Sequence, residues 1–215
     1  MDFEDWAPYY QKILEEFRFS READERAAAL LAKRLGGSRI IPADLDRLLR
    51  DKTVTVAGNA ATLERESHRI EGVLIAADEA TSVLRARQRR PDLIVTDLDG
   101  TVEDQIAANR EGAIAVVHAH GDNVPAIERW APRFEGRTMA TTQSRPFDDV
   151  HDFGGFTDGD RGVLLAAHFG ARSIRLVGFD FENPNAKDRP AEVKRRKLDW
   201  AYILIQSAAA EVLED

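Results

Sequence analysis

From Thr53 onward the chain alternates short apolar, β-branched runs with stretches of helical character, and this alternation limits the fold more than any other feature. The runs fall at Thr53–Ala57, Gly72–Ala76, Leu93–Val95, Ala113–Val117 and Ile174–Val177. Between them Ala80–Gln88, Val124–Phe134 and Arg161–Phe169 have helical character. Strands buried on both faces and separated by helices predict an α/β fold: a mostly parallel, Rossmann-like sheet with helices on both faces. Such sheets bind ligands beyond the carboxyl ends of their strands, so the polar clusters that follow each run are the candidate site.

The first fifty residues read differently. Trp6, Tyr9, Tyr10, Ile13, Leu14 and Phe17 recur at helical spacing, and Ser20 resembles an N-cap for a helix reaching Leu35 before Gly36-Gly37. A third helix follows Pro42, over Ala43–Arg50. The expected organisation is a helical N-terminal region, 1–50, packed on an α/β catalytic domain, 51–215.

Composition removes several classes. At 215 residues and 43% hydrophobic the chain can bury a sizeable core. There is no cysteine, hence no disulfide, thiolate metal site or cysteine nucleophile. A net charge of −8 argues against nucleic acid as a partner. No apolar run approaches the ~20 residues of a membrane span, and the acidic start MDFEDWAPYY lacks a signal-peptide pattern. A cytoplasmic protein is expected; association into a homo-oligomer is left open.

The strand-end clusters carry the chemistry. Gly58-Asn59 after the first run is either a phosphate-approaching turn or a plain tight one. Asp78 after the second either binds a ribose hydroxyl or exocyclic amine, or caps the next helix. Pro91 to Gly100 is the strongest: after buried Leu93-Ile94-Val95, Asp97 and Asp99 emerge with one residue between them. On an extended segment both carboxylates face the same way and suit one Mg²⁺ shared with a substrate phosphate. His118, His120 and Asp122 share a face in the same manner, either ligating a metal or contacting phosphate and substrate. Asp158, Asp160 and Arg161 precede an apolar helix, where either acid also serves as N-cap. Asp180 ends the last run. Thr141-Thr142-Gln143, in an expected connecting segment, suits a base or phosphate. Lys187, Lys194, Arg195, Arg196 and Lys197 are either a solvated helix face or the cations for a polyphosphate.

Val95-Thr96-Asp97-Leu98-Asp99-Gly100-Thr101 looks like the opening motif of haloacid-dehalogenase-type phosphatases, which makes Asp97 a candidate nucleophile. That motif normally follows a first strand near the N-terminus, and here two strands and three helices precede it. The ordered set resembles another family more fully. Phe17 to Asp24, Ala57-Gly58-Asn59, Ala77-Asp78, Pro91-Asp92 with Thr96 to Gly100, His118 to Asn123, Phe156 to Arg161 and Gly178-Phe179-Asp180 resemble the archaeal 6-hydroxymethyl-7,8-dihydropterin pyrophosphokinases. That family is similar to the thiamin pyrophosphokinases in fold and acidic motifs. The first loop departs from the pattern, since Gly58-Asn59-Ala60-Ala61 lacks a Gly-Pro-Ser run.

The resemblance implies diphosphate transfer from ATP to a reduced pterin alcohol, in pterin cofactor biosynthesis. It implies Mg²⁺ on Asp97, Asp99 and Asp160, with Asp122 or Asp158 assisting. A carboxylate or His120 then accepts the proton, Asp78 or Asp180 reads the pterin edge, and Phe156 stacks on the ring.

Overall fold

The computed structural model describes residues 1–183, 191–210 and 212–214, so Lys187 lies outside the described residues. The fold is α/β. Its strands are β1 (Ser38–Arg39), β2 (Thr53–Ala57), β3 (Val73–Ala77), β4 (Leu93–Thr96), β5 (Ile114–Ala119), β6 (Arg137–Thr142), β7 (Val150–His151), β8 (Ser173–Val177) and β9 (Leu213–Glu214). All pair in parallel, in the order β1-β6-β5-β4-β3-β2-β8-β9, with β7 added on β6.

The helices are α1 (Phe3–Phe17), α2 (Arg21–Arg34), α3 (Pro42–Leu49), α4 (Leu63–Glu66), α5 (Ala80–Ala86), α6 (Val102–Arg110), α7 (Val124–Trp130), α8 (Asp158–His168) and α9 (Ala191–Ala209). Strand residues alternate between two cores, as the period of two requires. Val54, Val56, Ile75, Val95 and Val116 meet α3, α8 and α9 on one face. Ala115, Val117 and Ala140 meet α2, α6 and α7 on the other, beside Ala57, Leu74 and Ala76 against α5. Gly162 lets α8 lie close to the sheet: a Cβ there would sit 3.1 Å from Val56 and 3.3 Å from Ile75. Among the described residues no helix is long and apolar enough to cross a membrane.

Three expectations change. The first fifty residues are not wholly helical, because Ser38–Arg39 joins the sheet on β6. Thr141-Thr142 is not a connector but the buried end of β6. Finally, α8 begins at Asp158 with Thr157 as its N-cap, and Asp160 sits at N3 of a capping box.

In the N-terminal region α1 buries Trp6, Tyr10, Ile13 and Leu14 at helical spacing, packed with Leu164 of α8 and Leu204 of α9. Ser20 caps α2 by accepting from the Ala23 N–H at 3.2 Å. The buried stripe of α2 is Asp24, Ala27, Ala28 and Leu31, so a carboxylate stands where an apolar residue is expected.

Candidate active site

The carboxyl ends of β3, β4, β5 and β6 and the N-terminus of α8 converge at one edge of the sheet. Asp78 leaves β3 with φ +44, Asp97 leaves β4, and Asp158 opens α8. One carboxylate oxygen from each lies within 4.8 Å of the others. Beside them is a cavity of about 180 Å³ lined by Arg18, Phe19, Asp24, Asp97, His120, Asp122, Gln143, Phe156, Arg161 and Lys197, among others.

The pairing of Asp97 with Asp99 does not form. Leu98 adopts φ +67, which ends the strand alternation, and Asp99 turns to solvent, its carboxylate accepting from the Gly100 N–H at 2.8 Å. Asp160 is also absent from the acidic group. Its carboxylate is fully buried and accepts from the Phe156 N–H (2.7 Å) and from both the N–H and hydroxyl of Thr157. It shapes the loop that presents Phe156. Asp122 is exposed on the cavity rim, because the strand stops at Ala119 and the extended spacing of His118, His120 and Asp122 is lost.

His120 and His118 divide. The His120 ring lies 3.2 Å from Asp97 Oδ2 and lines the cavity. His118 is buried against the Thr141 hydroxyl at 3.1 Å. Burial, with the charge of Arg161, holds it well below the usual histidine range and therefore neutral.

Of the expected cofactor-binding residues, Gln143, Phe156, Arg161 and Lys197 line the cavity. Arg161 reaches Asp158 and Gln143 at 3.3 Å each. The Lys197 ammonium stands 5.1 Å from the Phe156 ring centre, while Arg196 pairs with Glu16. Thr142 points into the protein, accepting from the Ser144 N–H. Gly58 serves close approach of β2 and β8: a Cβ there would lie 2.7 Å from Gly178 O. Asn59 follows it outside the cavity lining, as does Asp180, whose carboxylate closes a local turn with Glu182 and Asn183.

Two groups escape the sequence reading. Asp24 accepts from Tyr10 (2.6 Å), Gly121 N–H (2.7 Å) and Gln143 (2.8 Å), tying α1 and α2 to the cavity wall. Its signal was available: a charge on an otherwise apolar helix stripe. Thr96 and Gln105 hold Asp78; Thr96 falls within the acidic motif but its hydroxyl has no assigned role there, and Gln105 looks like an ordinary helix residue.

Electrostatics separate the three acids. Burial, with the charge of Asp97, pushes Asp78 up to about 8 and Asp158 well above the usual carboxylate range. Burial also acts on Asp97, but the His120 hydrogen bond and the charges of His120 and Arg161 outweigh it and hold Asp97 low. Three close acids, all offering hard oxygen donors, fit a Mg²⁺-class cation.

Asp152, after β7, is a separate buried acid raised to about 7 by burial. Its folded value lies above the unfolded one, so its ionised form lowers stability, increasingly from about pH 4 to 7. Asp152→Asn should therefore gain on wild type over that window in melting temperature against pH. Parallel curves across pH 4 to 7 would refute it.

Three known proteins similar in sequence to this chain share one description. The model of the family described as 6-hydroxymethylpterin diphosphokinase MptE-like matches residues 38–186. A 6-hydroxymethyl-7,8-dihydropterin pyrophosphokinase of Methanothermobacter thermautotrophicus is 41% identical over 95% of this chain and 94% of the relative. Proteins of the same description from Pyrococcus furiosus and Methanocaldococcus jannaschii are 40% and 33% identical, over 96% and 95% of this chain and 94% and 95% of their own lengths. A MAf glycosyltransferase from Magnetospirillum magneticum AMB-1 superposes with a TM-score of 0.56 at 17% identity, over 89% of this chain and 35% of that protein. That likeness is one of fold alone. With these relatives the chain is a diphosphotransferase, a class that transfers a diphosphoryl group. The chain belongs to the MptE-like 6-hydroxymethylpterin diphosphokinase family.

Proposed function

We propose that the protein transfers diphosphate from ATP to the hydroxymethyl group of 6-hydroxymethyl-7,8-dihydropterin, with Mg²⁺ held by Asp78, Asp97 and Asp158. The observation that carries this reading is the convergence of those three carboxylates within 4.8 Å, beside a cavity with aromatic and cationic walls. It stands in a chain 33–41% identical to relatives described as pyrophosphokinases for that pterin.

The pterin hydroxyl oxygen attacks the β-phosphorus, the bond from that phosphorus to the α–β bridging oxygen breaks, and AMP leaves with that oxygen. Bound Mg²⁺ supplies charge neutralisation to the triphosphate. The protein supplies the rest. Arg161 and Lys197 bring fixed positive charge to the cavity, where it stabilises the phosphate oxygens. Phe156 and Phe19 form an apolar wall for a flat ring. The hydroxyl proton passes to His120 or to a carboxylate of the acidic group, the two bases beside the cavity.

A phosphatase mechanism through Asp97 would use an acid two residues later, and Asp99 is exposed and outside the cavity lining. The two readings separate in one assay. Incubated with ATP, Mg²⁺ and the reduced pterin, the protein should form AMP and the pterin diphosphate in equal amounts. AMP no higher than in a pterin-free control, from folded protein, would overturn the proposal.

A further inference from the structure

Asp78 lies on a different loop from Asp97, yet one buried hydroxyl governs both. The Thr96 side chain, wholly buried at the end of β4, lies 2.8 Å from Asp78 Oδ1 and 2.8 Å from Gln105 Oε1. The same oxygen accepts from the Leu98 N–H at 2.8 Å, within the left-handed turn that carries Asp97 out of the strand. Gln105, also wholly buried, donates from Nε2 to Asp78 Oδ1 at 2.8 Å and to the Asp99 carbonyl at 3.3 Å.

A carboxylate whose one oxygen is gripped by two buried partners cannot rotate freely, and its orientation toward Asp97 and Asp158 is set from behind. We infer that Thr96 and Gln105 are positioning residues that hold Asp78 and the Asp97 turn in register for a divalent cation. This rests on the metal-binding reading of the three acids. Outer partners of this kind change metal affinity by about 10–100-fold when removed. The polar pair has a further reason to matter, since a buried amide left without its partners is destabilising.

The test is calorimetric titration of metal-stripped full-length protein with Mn²⁺ alone. Thr96→Val keeps the shape and removes the hydroxyl, and Gln105→Met keeps the length and removes the amide. Both should bind Mn²⁺ about 10–100-fold more weakly, with Thr96→Ser within about threefold of wild type. In turnover, the Mn²⁺ activation constant should rise while the pterin KM stays put. Wild-type affinity in Thr96→Val and Gln105→Met overturns the positioning role alone. Equal weakening in Thr96→Ser also overturns it, because packing rather than the hydroxyl then matters. Absence of Mn²⁺ binding by the wild type defeats the metal reading and this inference with it. Circular dichroism monitors folding; if Thr96→Val is unfolded, Gln105→Met and Thr96→Ser decide the outcome.

Discussion

Replacing Asp158 with Asn should lower turnover about 10²–10³-fold and at the same time raise the melting temperature of the metal-free protein at pH 8. The first effect follows from its place in the acidic group. Removing one group that stabilises charge in a phosphoryl or acyl transfer typically lowers kcat by about 10²–10³-fold. The second follows from the direction of its ionisation. Burial, with the charges of Asp97 and Asp78, lifts the folded carboxyl well above its unfolded value. The ionised form therefore lowers stability above about pH 4 and does so most at alkaline pH. Asn carries no charge, so its advantage should be present at pH 8 and fade as pH falls toward 4.

Asp97→Asn is the informative contrast. There the folded carboxyl is held low by His120 and Arg161, so ionisation stabilises the fold above about pH 4. Both variants should lose at least about 10²-fold in turnover, with Asp158→Asn melting higher than wild type and Asp97→Asn lower. Steady-state AMP formation and thermal melts across pH measure both. Turnover by Asp158→Asn within tenfold of wild type would remove Asp158 from the catalytic group. A fixed site tuned for function at the expense of stability gives this opposition of activity and melting temperature.

The second large effect is structural. Asp24→Ala should lower stability by about 3–5 kcal/mol in total, since each buried donor left without its acceptor costs about 1–3 kcal/mol. Three donors, from Tyr10, Gly121 and Gln143, lose their acceptor at once, and Asp24 and Gln143 are buried. For a chain of this size about 2–4 °C is lost per kcal/mol, so the midpoint should drop by on the order of 10 °C. Activity measured below the new midpoint should fall as well, because Gly121 and Gln143 line the cavity. A shift below about 2 °C would mean that water replaces the carboxylate without penalty. Differential scanning calorimetry reads the shift directly.

Much of the fold was legible because burial on both faces of a parallel sheet writes itself as continuous apolar runs. Thr53–Ala57 stands as read, and Val73–Ala77 lies one residue from the expected run. β6 escaped because Arg137–Thr142 contains three threonines. Tertiary hydrogen bonds, from Thr138 to Gly36 O and from Thr141 to Val117 O, make those hydroxyls tolerable in the interior. The helix α6 has the same difficulty: Gln105 and Asn109 are buried there only because distant carbonyls and Asp78 receive their amides.

By itself the sequence determined the layered α/β architecture, and it singled out the strand ends and Asp97, an acid the fold brings among others there. These depend on local periodicity and on polar residues falling just past buried strands, both of which are visible along the chain. Only the tertiary structure decided which acids accompany Asp97. A left-handed Leu98 turned Asp99 outward, the capping box enclosed Asp160, and the adjacency of β3, β4 and α8 brought Asp78 and Asp158 in. One backbone dihedral and one helix cap redirect a carboxylate across several ångströms, and neither has a signature in residue spacing.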